Sequence, residues 1–104
     1  MNLPRKGCKV ITLDDIQYRW KAYSTARCTE VRISYNEIEG GQILVAQVPK
    51  LFNLKWLVPI IEFGLENGWD PAESADPHYI RKIKESFRNL TPEEVEAHLQ
   101  NRPK

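Results

Sequence analysis

Apolar and polar residues alternate with a period of two through the first half of the chain, then switch to a helical period in one later stretch. Residues 9–13 (Lys-Val-Ile-Thr-Leu) form a short β-type run. Asp14-Asp15 breaks it as a tight turn, because aspartate side chains bond nearby backbone amides. Residues 16–23 place Ile16, Tyr18, Trp20 and Ala22 on one face and Gln17, Arg19, Lys21 and Tyr23 on the other, the pattern of a half-buried strand. Residues 30–36 repeat it, with Val31, Ile33 and Tyr35 inward and Arg32, Ser34 and Asn36 outward. Gly40-Gly41 supplies the positive φ of a hairpin turn. The run at 42–48 is apolar on nearly both faces, so it reads as a central strand or one covered on its second side, a cover that another copy of the protein could supply. Pro49 stops its ladder.

Beyond it the spacing predicts a helix over 57–67, with Pro59 in its first turn and a stripe of Leu57, Ile61 and Leu65 widened by Ile60 and Phe63. Gly68 suits the left-handed position after the last turn. Trp69 is then expected to fold back over Gly64 against Phe63, and Asp70-Pro71 ends the element. Asp76-Pro77 reads as a cap and first turn for a second helix, striped by Tyr79, Ile80, Ile83 and Phe87. Thr91-Pro92-Glu93-Glu94 is a capping box, with Leu90 and Val95 as its hydrophobic staple, and opens a third helix. Strands segregated from helices imply an α+β fold. The expectation is an antiparallel meander of three to four strands followed by three helices, with helix 57–67 packed on the sheet face bearing Tyr18, Trp20, Val31 and Ile33. The whole chain, 1–104, reads as a single domain with a frayed tail at 101–104.

Composition narrows the function classes more than it selects one. Net charge is +1, too small for a whole-molecule field that draws in nucleic acid or an anionic membrane. Residues 1–50 carry +3 and residues 51–104 carry −2, a mild asymmetry that hints at a basic strand region and acidic helices. No run reaches the roughly 20 apolar residues of a membrane span, and the N-terminus lacks a signal-peptide core, so a cytoplasmic location is expected. Cys8 and Cys28 fit no zinc or redox spacing and read as reduced thiols, although the sequence leaves open whether they pair.

No catalytic constellation is local in sequence. His78 and His98 stand 20 residues apart without metal-ligand spacing and read as solvent-facing. The pairs Asp14-Asp15, Glu37/Glu39 and Glu93-Glu94 fall in turns or caps, where acids have structural reasons to be. No cofactor or metal is expected, and an enzyme is the class least supported. Two surfaces remain. Arg19, Lys21, Tyr23 and Arg32 would share the outer sheet face, where cations beside an aromatic ring can hold single-stranded nucleic acid. Leu51, Phe52, Leu54 and Trp56 form an apolar loop which, with Trp69, could make an interface or line a pocket.

Tyr18-Arg-Trp20 and the block from Pro59 to Gly68-Trp69-Asp70-Pro71 resemble a group of small uncharacterised bacterial proteins in which a Tyr-x-Trp strand precedes a helix closing on Gly-Trp-x-Pro. Such domains are of the kind carried on mobile, integron-type gene cassettes. The resemblance spans residues 16–72 and rests on these few positions; the segment 77–102 lies outside it. It implies a similar fold and no particular activity. The expected role is therefore a non-enzymatic binding or interaction module, working as a homodimer or on another protein. A small-molecule binder with a pocket between helix and sheet, lined by Trp20, Trp56, Phe63 or Trp69, stands second. Nucleic-acid binding by the basic face stands third.

Overall fold

The computed structural model describes residues 7–100. Its strands are β1 (Lys9–Leu13), β2 (Ile16–Ser24), β3 (Thr29–Tyr35), β4 (Leu44–Val48), β5 (His78–Ile83) and β6 (Ser86–Asn89). They form one sheet in the order β1-β2-β3-β4-β5-β6. Every neighbouring pair is antiparallel except β4 and β5, which are parallel. A parallel pair needs a crossover, and a 3₁₀ turn at Leu54–Trp56 followed by α1 (Leu57–Glu66) provides it. A second helix, α2 (Pro92–Gln100), follows β6. No helix among the described residues is long and apolar enough to cross a membrane.

The first three strand runs appear within a residue or so of their expected bounds, and the fourth is shortened to Leu44–Val48. Asp14 (φ 51°) and Asp15 (φ 64°) both take positive φ, as the mirror-image turn matching β twist requires. The expected fold class is corrected in two respects. The sheet has six strands and is mixed, not a three- to four-stranded antiparallel meander, and two α-helices follow the meander, not three. The segment expected as the middle helix is the β5–β6 hairpin. Its apolar residues fit both periods: Ile80 and Phe87 lie on one sheet face, Tyr79 on the other. Lys84 (φ 55°) makes the turn between them. The free edge of β4, which no local pattern reveals as unpaired, decides for strand.

One sheet face carries the main core. Tyr18, Trp20, Val31, Ile33, Leu44, Ala46, Val48 and Ile80 meet Leu57, Ile60 and Ile61 of α1 there. Helix α1 thus packs where the strand pattern places it, although Leu65 of the expected stripe is exposed and Gly64 takes its place inward. Gly68 (φ 110°) ends the helix, and the Trp69 amide donates to the Gly64 carbonyl at 2.9 Å, so the Schellman-type stop is present. The indole does cross Gly64. Its ring partner, however, is Tyr18 at 5.9 Å, and its Nε1 donates to the Gln42 carbonyl at 2.8 Å. Phe63 pairs with Phe87 of the hairpin instead, at 5.8 Å.

The opposite sheet face is covered by α2, whose Val95 packs with Leu90 against Ile43, Val45 and Tyr79. The two-faced apolar run at 42–48 therefore finds its second cover within the same chain. The tail expected to fray, 101–104, lies outside the described residues.

Candidate binding surfaces

The register gathers Arg19, Lys21, Tyr23 and Arg32 onto the α2-covered face, because β2 and β3 pair Arg19 with Ser34, Lys21 with Arg32 and Tyr23 with Glu30. Two of these cations already hold the fold. Arg19 is only 2% exposed; it donates to the Asn36 carbonyl at 2.9 Å and meets Glu39 at 3.3 Å. Arg32 bonds Glu30, itself 4% exposed, at 2.7 and 2.8 Å. The guanidinium of Arg32 lies 4.3 Å from the Tyr23 ring centre and Lys21 lies 5.2 Å from it, so cations sit on the aromatic face a base would stack on.

From Glu30 a chain of polar contacts ties α2 to the sheet. His98 meets Glu30 at 3.1 Å through Nε2 and Gln47 at 3.1 Å through Nδ1. Gln47 accepts from Arg81 at 3.0 Å, and Arg81 donates to Glu94 at 3.1 Å. Arg88 grips Glu94 with both terminal nitrogens, at 2.7 and 2.6 Å. The capping box is reciprocal: the Thr91 hydroxyl accepts the Glu94 amide and the Glu94 carboxylate accepts the Thr91 amide. The Arg88 hydrogen bonds, then the Thr91 amide, hold the Glu94 carboxyl far below the usual carboxylate range. Burial, with Glu30 next in effect, raises the Tyr79 hydroxyl above its ordinary value. His98 is thus a docking residue on the inner side of α2. His78 sits on β5 and bonds the Asn89 side chain at 3.1 Å. His98, expected to face solvent, is instead 18% exposed, because its acidic and glutamine partners reach it from distant strands.

The thiols of Cys8 and Cys28 are free. Burial pushes the Cys8 thiol up, away from the reactive thiolate. Among the described residues no three His, Cys, Asp or Glu side chains converge as a metal site.

The ends of the sheet differ sharply in charge. The pairing pattern brings the connections 14–15, 36–43 and 67–77 to one end and 25–28, 49–56 and 84–85 to the other. The first set contains Asp14, Asp15, Glu37, Glu39, Asp70, Glu73 and Asp76, and no lysine or arginine. The second contains Arg27, Lys50, Lys55 and Lys84 against the single acid Glu85, with Lys9 and Lys82 at adjoining strand ends. Helix α1 starts at the cationic end. It has no acid in its first turn and no base in its last, so its macrodipole adds to this polarity.

Each end has an apolar feature. At the cationic end, Leu51 is 90% and Leu54 63% exposed. Behind them Phe52 packs edge-on between Trp20 (5.9 Å) and Trp56 (6.1 Å), and Lys82 caps Trp56 at 4.9 Å, so the 49–56 loop is anchored to the core. Of the residues singled out for an interface or pocket, Leu51, Phe52, Leu54 and Trp56 are thus together, whereas Trp69 is buried in the core beneath α1. At the acidic end, a cavity of about 240 Å³ opens between the 14–15 turn and the 36–41 loop, lined by Asp15, Ile16, Gln17, Tyr35, Glu37 and Ile38. Compared with protein-family models, curated proteins and solved structures, the chain matches none.

Proposed function

We propose that this chain is a non-catalytic interaction module whose working surface is the cationic end of the sheet, with the 49–56 loop as its contact segment. The observation that carries this reading is the exposure of Leu51 and Leu54, 90% and 63%, on a loop packed onto the core through the Trp20–Phe52–Trp56 contacts. Two leucines offered to solvent on an anchored loop do nothing for the fold, whereas an apolar centre within a charged rim is the usual anatomy of a protein interface. The lysines around them, Lys50, Lys55 and Lys84, select a partner surface that sets carboxylates around an apolar depression. The charged groups on the α2-covered face support the same reading, since Arg19, Arg32, Arg81 and Arg88 are engaged in bonds that build the molecule.

Selection from a displayed random-peptide library tests this. Wild-type protein should enrich peptides that place Asp or Glu beside an apolar residue, and Leu51→Asp should abolish the enrichment. Absence of any enriched motif, or enrichment unchanged by Leu51→Asp, overturns the reading.

A further inference from the structure

The two ends of the sheet complement each other, and their chemistry identifies one partner for the loop. The cationic end projects Leu51 between Lys50 and Lys55; the acidic end recesses a cavity of about 240 Å³ whose walls include Ile16, Ile38 and Tyr35 and whose rim carries Asp15 and Glu37. A dry cavity of about 150 Å³ accommodates a benzene molecule, so this larger, half-open one has room for a leucine side chain. Ile16 and Ile38 are each 40% exposed, apolar surface that nothing in the described chain covers fully. Resting on the reading of the 49–56 loop as a contact surface, we infer that the protein associates with itself head to tail: Leu51 of one copy enters the cavity of the next, and Lys50 meets the carboxylates of Asp15 and Glu37.

Charge disfavours the two-fold dimers that join like ends. Pairing the cationic ends of two copies sets Lys50, Lys55 and Lys84 against their own duplicates, and pairing the acidic ends does the same for Asp15, Glu37 and Glu39. Like charges across an interface are costly, and opposite charges also steer the encounter. Because the two features lie at opposite ends of the strands, each bound copy still offers a loop and a cavity. The contact is heterologous and repeats as a chain or closes as a ring.

Sedimentation equilibrium or light scattering against concentration, with two single variants, tests the inference. Wild type at low salt should show an average mass that climbs past the dimer, and the climb should vanish at about 1 M salt, where the screening length falls to about 3 Å. Leu51→Asp and Ile38→Asp should each be monomeric alone. An equimolar mixture of the two should form a dimer and nothing larger, because it contains one intact loop and one intact cavity. Circular dichroism and thermal melting confirm that each variant is folded, and Lys50→Glu and Glu37→Lys serve as a second pair in which charge alone is altered. A wild-type protein that stays monomeric at low salt overturns the inference. So does a wild-type mass that stops at the dimer, which marks a two-fold interface, or a mixture that does not dimerise. If the wild type is monomeric yet still enriches acidic peptides through Leu51, self-association fails while the interaction-module reading stands; loss of both removes both.

Discussion

Gly64 occupies a place where a methyl group has no room. A Cβ there would lie 2.7 Å from Leu44 Cδ2 and 2.9 Å from the Trp69 ring. Alanine stabilises a helix interior by about 1 kcal/mol relative to glycine, but overpacking a filled core costs about 1–3 kcal/mol. The close contacts to Leu44 and Trp69 place Gly64→Ala on the costly side of that balance, and it is expected to lower stability by up to about 2 kcal/mol, read as a reduced urea midpoint at unchanged slope. The Gly68-Trp69 stop was legible from spacing alone, since it depends on six consecutive backbone positions, Gly64 to Trp69. The indole's partners were not, because Tyr18 and the Gln42 carbonyl reach it from distant strands. Glu94 shows the same division. Its place in the capping box is a four-residue pattern, whereas its two arginines come from β5 and β6. Its carboxyl titrates below the ordinary range in the folded state, so its contribution is complete at neutral pH and is lost as pH falls through and below about 4.3, its unfolded value. Glu94→Gln should lower the denaturant midpoint at pH 7, and the gap to wild type should narrow steadily on acidification. A constant gap across the titration would show that the Arg88 and Thr91 contacts do not carry the effect.

The elements read correctly are those whose signal is entirely local. β2 has eight alternating residues, α1 a stripe and a stop, α2 a capping box and a staple. The hairpin of β5 and β6 was misread because Tyr79, Ile80, Ile83 and Phe87 satisfy a helical spacing as well as an alternating one. The Asp76-Pro77 pair added a false helix start. What overrides both is β4, whose second edge needs hydrogen bonds and whose two apolar faces need neighbours. Helix α2 is an opposite case: no residue of it is fully buried, and it is held on its face by Val95 and by the Glu30–His98 and Arg81–Glu94–Arg88 contacts. Elements fastened by a few partly exposed polar links open at lower free energy than the sheet they cover.

At the scale of the whole molecule, the charge pattern was present in the sequence but encoded by loop, not by half. From 14–15 to 67–77 acidic and basic connections alternate along the chain, and the antiparallel pairs, with α1 running back between β4 and β5, send alternate connections to opposite ends. Sums over residues 1–50 and 51–104 average this away; the strand pairing restores it. A protein of net charge +1 with uniform charge would be held weakly by any ion exchanger at neutral pH. This one is expected to be retained at low salt by both sulfonate and quaternary-amine resins, each binding one end. Lys50→Gln with Lys55→Gln should shorten retention on the first only, and Asp15→Asn with Glu37→Gln on the second only. The crossover between β4 and β5 has a further consequence, for the order of assembly. The β1–β4 ribbon joins neighbours in sequence and closes through short loops, whereas β5 can be zipped onto β4 only after the segment 49–77 has coiled back. Trp20 belongs to the early ribbon and Trp69 to the late return, so the two indoles time-stamp different stages: emission from Trp69 should settle last, with the arrival of the parallel strand.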